Sequence, residues 1–286
     1  MQDPIVQSFF DPETGTVTHV VSDPVTLCAA IIDSVLDYDP KSGRTSHLSA
    51  DKVIDYVGQQ RLKLQWLLET HAHADHLSAA PYLQSRLGGK VAVGRHICDV
   101  QAVFRKLFNT KDMLADGADF DYLLDDGEKF NVGELEVRVM HTPGHTPACV
   151  SFVIGRDAFI GDTLFMPDYG SARCDFPGGD AATLYRSIKK VLALAADTRL
   201  HLCHDYPPAG RAAAWLTTVA EQRETNIHVH DGITETEFVR LRTARDKTLA
   251  TPTLLLPAIQ VNLRAGKLPA PQGNGVSYLK IPINAL

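Results

Sequence analysis

The segment from residue 71 to residue 76 concentrates the side chains best suited to chemistry. It reads His71-Ala72-His73-Ala74-Asp75-His76, which places three imidazoles and one carboxylate within six residues. Imidazole and carboxylate together suit divalent zinc, iron or manganese. A carboxylate at the positive end of a helix would explain Asp75 alone, but it would leave the three histidines unexplained. The segment therefore predicts a metal site.

Three later loops each present one more polar side chain directly after an apolar strand. These side chains are His145, Asp162 and His204. Rigid scaffolds build metal sites by bringing together ligands from the ends of different strands. His141 lies four residues before His145, across Pro143 and Gly144, and we expect it to be structural. The other histidines are isolated, and we expect surface or core roles for them; they are His19, His47, His96, His201, His228 and His230.

The elements on either side of the hexapeptide indicate how it is positioned. Residues 62–70 are mostly apolar and predict a strand, whereas residues 77–87 carry apolar side chains at helical spacing. The cluster is thus expected on a short strand-to-helix loop, with Asp75 and His76 at the start of the helix. Ser49 is expected to cap an earlier helix over about 50–60.

The rest of the chain alternates strand and helix patterns. Residues 128–140 predict a hairpin, and residues 109–127 a long polar loop. Asp180 is expected to open a helix, and Thr234 with Glu237 matches a capping box. Beyond residue 207 the pattern becomes helical, and the Pro- and Gly-rich tail from Leu268 predicts an irregular extension.

Composition limits the class of protein. The chain has 286 residues, 44% of them hydrophobic, with a net charge of −6, so a nucleic-acid partner is not expected. No apolar run approaches the roughly 20 residues of a membrane span. Five widely spaced cysteines without a CxxC pair indicate reduced thiols. With no signal peptide at the start of the sequence, we expect a cytoplasmic protein.

The ligand motifs resemble those of the metallo-beta-lactamase superfamily. Residues 71–76 resemble its HxHxDH signature, 142–146 its TPGHT loop, 161–163 its GD(T/A) loop, and His204 its last histidine. The resemblance extends over about 16–206. It implies an α/β (α+β) fold, an αββα sandwich of two mixed sheets with helices outside. We expect residues 1–206 to form this core and residues 207–286 to be a C-terminal helical extension and tail that completes the same domain.

The superfamily's dinuclear zinc hydrolases, such as glyoxalase II, provide one interpretation of the ligands. The resemblance implies that one zinc would be held by His71, His73 and His145. The second zinc would be held by Asp75, His76 and His204, with Asp162 bridging the two. A bridging hydroxide could then attack a thioester.

The flanking segments instead resemble the persulfide dioxygenase branch and its bacterial beta-lactamase-like hydrolase subgroup. Residues 142–152 end in the Cys-Val-Ser-Phe of that branch, and 171–176 resemble its GxGRxDF segment, with Ala172 and Cys174 in place of Gly and Thr. Residues 204–206 match its AHDY motif, with Cys203 replacing Ala. The Lys/Arg-x-Tyr/Phe-Glu-Gly stretch that follows GDTLF in glyoxalase II is absent.

This second resemblance implies a non-haem iron persulfide dioxygenase of sulfide detoxification. One Fe(II) per chain would be held by His71, His145 and Asp162, a facial triad that leaves open positions. The substrate would be glutathione persulfide, or a similar low-molecular-weight persulfide, oxidised by O2 to sulfite and thiol. Relatives commonly self-associate, so a homodimer is compatible with the resemblance.

The roles of the remaining ligands follow from the same resemblance, whereas the substrate-side residues are chosen for their positions beside Asp162 and His204. The side chains of His73, Asp75, His76 and His204 would either hydrogen-bond the iron ligands or hold a second metal. Arg173 is expected to pair with a glutathione carboxylate, and Tyr206 to contact the substrate. Cys174 lies close to the predicted pocket, so whether its thiol takes part in the chemistry stays open. A metal-binding regulator without catalysis is a third alternative.

Overall fold

Short strands and helices alternate along most of the chain. The computed structural model describes residues 3–285. The strands of this part are β1 (Ile5–Asp11), β2 (Thr16–Ser22), β3 (Cys28–Ile32), β4 (Val35–Asp39), β5 (Arg44–Ser46), β6 (Lys63–Glu69), β7 (Leu77–Ser78), β8 (Lys90–Gly94), β9 (Tyr122–Leu124), β10 (Lys129–Val132), β11 (Leu135–His141), β12 (Val150–Ile154), β13 (Asp157–Phe159), β14 (Arg199–His201) and β15 (Leu216–Thr218). The α-helices are α1 (Leu48–Gln59), α2 (Ala80–Leu87), α3 (Ile97–Leu107), α4 (Ala181–Leu192), α5 (Val219–Thr225), α6 (Glu235–Asp246) and α7 (Leu255–Asn262).

The strands form two large mixed sheets and one small sheet. The first large sheet has the order β1-β2-β3-β6-β8-β9, and its β3, β6, β8 and β9 run parallel. The second has the order β10-β11-β12-β13-β14-β15, in which only β13 and β14 pair in parallel. The small sheet, β5-β4-β7, lies next to the hexapeptide.

The two large sheets pack face to face. Ile32 and Leu68 of the first sheet share a buried core with Val139 and Phe152 of the second. Neighbouring Leu67 belongs to a different core, under α1, α2, α3 and α7, because successive side chains of a strand point to opposite faces. Helices α4 and α6 cover the outer face of the second sheet. This arrangement confirms the αββα sandwich of two mixed sheets with helices outside.

The chain after the hexapeptide differs from the sequence-based prediction. Leu77 and Ser78 form the short strand β7, which pairs with Leu36 and Val35 of β4. Helix α2 begins only at Ala80. The prediction that Asp75 and His76 lie at the start of a helix is therefore wrong, because they occupy the turn before a strand. The spacing of apolar residues within 77–87 carries no information about a pairing with β4, which begins 42 residues before β7.

Two other local predictions are corrected. Helix α1 begins at Leu48, so Ser49 lies inside it rather than at its cap. Its hydroxyl and its backbone N–H both donate to Asp37, at 2.7 and 3.0 Å. The predicted loop over 109–127 contains the edge strand β9, which extends the first sheet.

The C-terminal part contributes to both sides of the sandwich. Strand β15 extends the second sheet, which the purely helical prediction beyond residue 207 missed. Thr234 and Glu237 form the expected capping box, and Asp180 caps α4 through the N–H of Thr183. A domain boundary at residue 206 stays a prediction. Within residues 3–285, no helix combines the length and the apolar character needed to cross a bilayer.

Candidate metal centre

Four strand ends converge at one edge of the sandwich. The hexapeptide follows β6, and His145 follows β11. Asp162 lies in a single 3₁₀ turn, Gly161–Thr163, that follows β13. His204 follows β14. The structure therefore brings together all seven side chains that the sequence singled out as ligands.

One group of potential ligands consists of His71, His145 and Asp162. Their ligand atoms lie within 4.8 Å of one another, and all three side chains are buried. Nε2 of His71 is 3.8 Å from Asp162 Oδ2, and Nε2 of His145 is 3.5 Å from the same oxygen. Two imidazoles and one carboxylate oxygen thus face a common point.

A second group consists of His73, Asp75, His76 and His204, again within 4.8 Å. Nε2 of His204 lies 3.2 Å from Asp75 Oδ2 and 3.5 Å from Asp162 Oδ1. Asp162 therefore stands between the groups, with Oδ2 towards the first and Oδ1 towards the second. This geometry is compatible with one metal in the first group or with two metals bridged by Asp162.

The state of the ring nitrogens shows that these residues suit a metal ion. Nδ1 of His73 and Nε2 of His76 are buried without a hydrogen-bond partner. Nε2 of His73 lies 3.0 Å from Asp33 Oδ1, and Nε2 of His204 faces Asp75, but neither contact has the geometry of a hydrogen bond. Burial, reinforced by neighbouring imidazoles, holds the pKa of His71 and of His73 well below the usual histidine value. Neutral imidazoles with unused lone pairs are the form in which histidine binds metals. The two groups therefore have the chemistry of a metal-binding site.

Hydrogen bonds outside the two groups orient the first. Thr70 donates to Asp33 through its N–H at 2.8 Å and through its hydroxyl at 2.9 Å. Since that hydroxyl has given its only proton to Asp33, it accepts one from His71 Nδ1, 3.0 Å away. His145 Nδ1 likewise donates to the carbonyl of Arg173 at 2.7 Å. Both bonds leave Nε2 free for a metal.

Asn262 is a residue that sequence reasoning missed. Its side-chain amide donates to the backbone carbonyls of His73 and His76, each at 2.8 Å. Its carbonyl oxygen accepts from the N–H of Ser78 at 2.8 Å. The available signal was that Asn262 is one of two polar residues, with Gln260, in the mostly apolar helix α7. Asn262 fixes the backbone of the hexapeptide without being a ligand.

A cavity of about 500 Å³ opens onto the metal groups. Its wall includes His145, Asp162 and both predicted substrate residues, Arg173 and Tyr206. The Tyr206 hydroxyl, however, donates to Asp75 Oδ2 at 2.7 Å. Both residues therefore line the predicted pocket, but Tyr206 is also bound to a potential metal ligand.

Two cysteines close to the site are buried. Cys174 donates to Asp246 Oδ2 at 3.3 Å. Burial, together with Asp246, raises its pKa to about 12, so the thiol stays protonated at neutral pH and is a weak nucleophile. Cys203 donates to Asp162 Oδ1 at 2.8 Å. Burial and the Asp162 carboxylate raise the pKa of this thiol well above the usual value.

Comparison with known proteins agrees with this geometry. The model of the metallo-beta-lactamase superfamily matches residues 28–204. The chain is 57% identical to a probable metallo-hydrolase of Burkholderia pseudomallei, over 98% of this chain and 99% of that protein. It is 49% identical to glyoxylase B2 of Dictyostelium discoideum, over 98% of this chain and 97% of that protein.

Similarity extends to a named persulfide dioxygenase. The mitochondrial persulfide dioxygenase ETHE1 of Homo sapiens is 29% identical, over 92% of this chain and 89% of that protein. Among solved structures, ETHE1 from Myxococcus xanthus superposes with a TM-score of 0.73 at 28% identity, over 92% of this chain and all of that one.

Proposed function

Because the chain belongs to the metallo-beta-lactamase superfamily, we propose that it is a persulfide dioxygenase with one ferrous ion per chain. In this proposal His71, His145 and Asp162 hold the iron. The substrate is glutathione persulfide or a similar low-molecular-weight persulfide. One persulfide, one O2 and one water give one thiol and one sulfite, so the outer sulfur is oxidised and O2 is reduced.

The observation that carries the proposal is the separation of the seven residues into two unequal groups. His71, His145 and Asp162 meet at one point, as a facial triad requires. In the second group, Asp75 already accepts from Tyr206 and lies 3.2 Å from His204. A carboxylate engaged in this way is less available to a second metal. The similarity to the ETHE1 proteins supports the same assignment.

Iron bound by the triad would supply redox chemistry and coordination positions that the protein leaves open. The chain's own residues prepare this place. Thr70 and the carbonyl of Arg173 hold the two imidazoles in the tautomer that presents Nε2. Phe176 packs edge-on against His145, with ring centroids 5.3 Å apart, and screens that side from water.

Tyr206 and its neighbours form the opposite wall. The ring of Tyr206 stacks on His204 at 5.8 Å and contacts Tyr169 at 5.4 Å. These aromatic surfaces offer an apolar channel for the substrate chain while its sulfur approaches Asp162. Because the Tyr206 hydroxyl donates its only proton to Asp75, its oxygen would meet the substrate as a hydrogen-bond acceptor.

A dinuclear zinc thioester hydrolase is the second candidate. The observation in its favour is that Asp162 presents one oxygen to each group, as a bridging ligand does. The 49% identity to glyoxylase B2 points in the same direction. In this alternative, His73, Asp75, His76 and His204 would be ligands rather than hydrogen-bonding neighbours.

Metal content per chain after anaerobic purification, paired with oxygen uptake, distinguishes the two. We expect about one iron, with oxygen consumption and sulfite release on adding glutathione persulfide. Asp162→Ala should lose both metal and uptake, whereas His96→Ala, a change at an exposed histidine, should lose neither. Two zincs per chain, thioester hydrolysis and no oxygen uptake would establish the hydrolase instead.

A further inference from the structure

Three arginines and three carboxylates line the cavity at the metal groups. The arginines are Arg173, Arg242 and Arg245, and the carboxylates are Glu13, Asp75 and Asp162. An arginine in a concave site that no carboxylate of the chain neutralises favours a ligand that carries negative charge away from its reacting atom. The three guanidinium groups differ in how much hydrogen-bonding capacity they retain.

Two of the arginines are already paired within the chain. Arg173 donates to both carboxylate oxygens of Asp175, at 2.7 and 2.8 Å, and to the carbonyl of Ala250. Arg242 is buried, and it donates to Asp246 at 2.9 Å and to the carbonyl of Ser171 at 2.9 Å. Their guanidinium groups hold the cavity wall together, which leaves little capacity for an incoming carboxylate.

Among the three arginines that line the cavity in the described part of the chain, Arg245 is the one whose guanidinium is unpaired. Its guanidinium makes neither a hydrogen bond nor an ion pair within residues 3–285, and the side chain is only partly buried. The guanidinium carbon lies 5.7 Å from the centre of the Tyr169 ring. This cation–π contact restrains the planar group while leaving its N–H donors unused.

Arg245 is connected to the metal groups by an unbroken aromatic surface. Tyr169 contacts Tyr206, and Tyr206 stacks on His204. A single ligand in this cavity can therefore place one end at the metal and another at Arg245. An exposed arginine elsewhere on the surface would lack this continuity.

We propose that Arg245 is a specificity-determining residue that binds a carboxylate of the substrate, at the far end of the cavity from the reacting sulfur. The guanidinium can form two parallel hydrogen bonds with such a carboxylate. Arg173, in contrast, is a positioning residue for the cavity wall. The proposal rests on the proposed function for its choice of a glutathione-type substrate.

Calorimetric titration with two probes tests this assignment. The probes are glutathione and glutathione diethyl ester, in which both carboxylates are neutral. Each is titrated into metal-loaded wild-type protein, into Arg245→Gln and into Arg240→Gln, a matched change at an exposed arginine of the same helix. We expect Arg245→Gln to weaken glutathione binding by roughly tenfold to a hundredfold. Arg240→Gln should have no effect.

The ester provides the decisive contrast. It should bind wild-type protein and Arg245→Gln equally, because there is no carboxylate for Arg245 to bind. Unchanged glutathione binding in Arg245→Gln, equal weakening of both probes, or no glutathione binding to the wild type would each overturn the proposal. In turnover, KM should rise with kcat unchanged.

Failure of the proposed function can be separated from failure of this inference. A thioester of glutathione carries the same two carboxylates, so the titration has the same expected outcome if the protein proves to be a zinc hydrolase. Oxygen uptake then decides the reaction, and the contrast between the two probes decides the role of Arg245.

Discussion

The Tyr206 hydroxyl donates a 2.7 Å hydrogen bond to Asp75 Oδ2. This bond joins the wall of the cavity to the second group of potential ligands. It also competes with any cation for the same carboxylate oxygen. We therefore expect the number of metals that the centre holds to depend in part on a residue that is not a ligand.

Tyr206→Phe should increase the ability of the second group to bind zinc, because it frees Asp75. When zinc is added in excess to metal-free protein, we expect the variant to bind more zinc per chain than the wild type. Loss of a hydrogen bond to a charged group should also lower the free energy of unfolding by about 1.5–3 kcal/mol. Tyr169→Phe is the control, since the Tyr169 hydroxyl makes no hydrogen bond within residues 3–285. Equal zinc binding by all three proteins would contradict this prediction.

Asp33→Asn should weaken metal binding from outside the ligand set. Asp33 accepts two bonds from Thr70, which in turn orients His71. Asparagine tolerates the left-handed backbone at this position, where φ is +53°, so the change is mainly one of hydrogen bonding. Removing such a supporting partner typically costs tenfold to a hundredfold in metal affinity. Competition with a chromophoric chelator measures the loss.

Asp37→Asn is a matched control for this change. Asp37 lies in β4. It also accepts from the N–H and hydroxyl of one residue, but that residue is Ser49, near the start of α1, rather than a neighbour of a potential ligand. We expect a small loss of stability and unchanged metal affinity. If both variants lost affinity alike, the effect would be one of general stability.

Stability of the metal-free protein should fall as the pH is lowered through the window set by His228. Burial lowers the pKa of His228 to about 4, and Arg242 and Arg245 add to this effect. Its Nδ1 accepts from the N–H of Ser171 at 3.0 Å, a bond that only the unprotonated nitrogen can accept. Between about pH 6.5 and pH 4 the unfolded chain therefore binds the extra proton, and stability decreases with decreasing pH.

The difference between the pKa of His228 in the unfolded chain and in the folded protein corresponds to a loss of at most about 3 kcal/mol in the free energy of unfolding. Urea unfolding of metal-free protein at pH 7 and at pH 4.5 measures this change in the free energy of unfolding. His228→Gln should flatten the pH dependence, although His19, His71 and His73, whose pKa values burial also lowers, will leave part of it. His96→Gln, at an exposed site, should leave the dependence as in the wild type. An unaltered slope in His228→Gln would refute the assignment.

Gly144→Ala should prevent the loop before His145 from closing. Gly144 has φ +134°, and a Cβ there would lie 2.3 Å from the backbone N and Cα of Leu184. Because backbone of α4 cannot yield as a side chain can, we expect a loss of at least about 3 kcal/mol. Gly127→Ala, at φ +76° with no atom within 4 Å of the added Cβ, isolates the cost of backbone strain, about 1 kcal/mol. Thermal unfolding compares the two, and equal losses would exclude the clash.

The ligands could be predicted from sequence because each one follows an apolar strand, and strand ends meet at the edge of a sheet. Local pattern also located the capping box at Thr234. The interactions that distinguish one metal from two could not be found in this way. Tyr206 and Asp75 are 131 residues apart, and Arg245 differs from Arg173 only in what surrounds it. The sequence predicts too early a start for α2 for the same reason, because Leu77 and Ser78 form β7 only by pairing with the distant strand β4.

The bonds from Asn262 to the carbonyls of His73 and His76 have a consequence for the order of events during synthesis. Asn262 follows His76 by 186 residues. At ribosomal rates of about 5–20 residues per second, it is added roughly 10–40 seconds later. Throughout that interval the nascent chain contains the histidines of the hexapeptide but lacks the side-chain amide that fixes their backbone. Metal binding in the native geometry is thereby deferred until Asn262 has been synthesised.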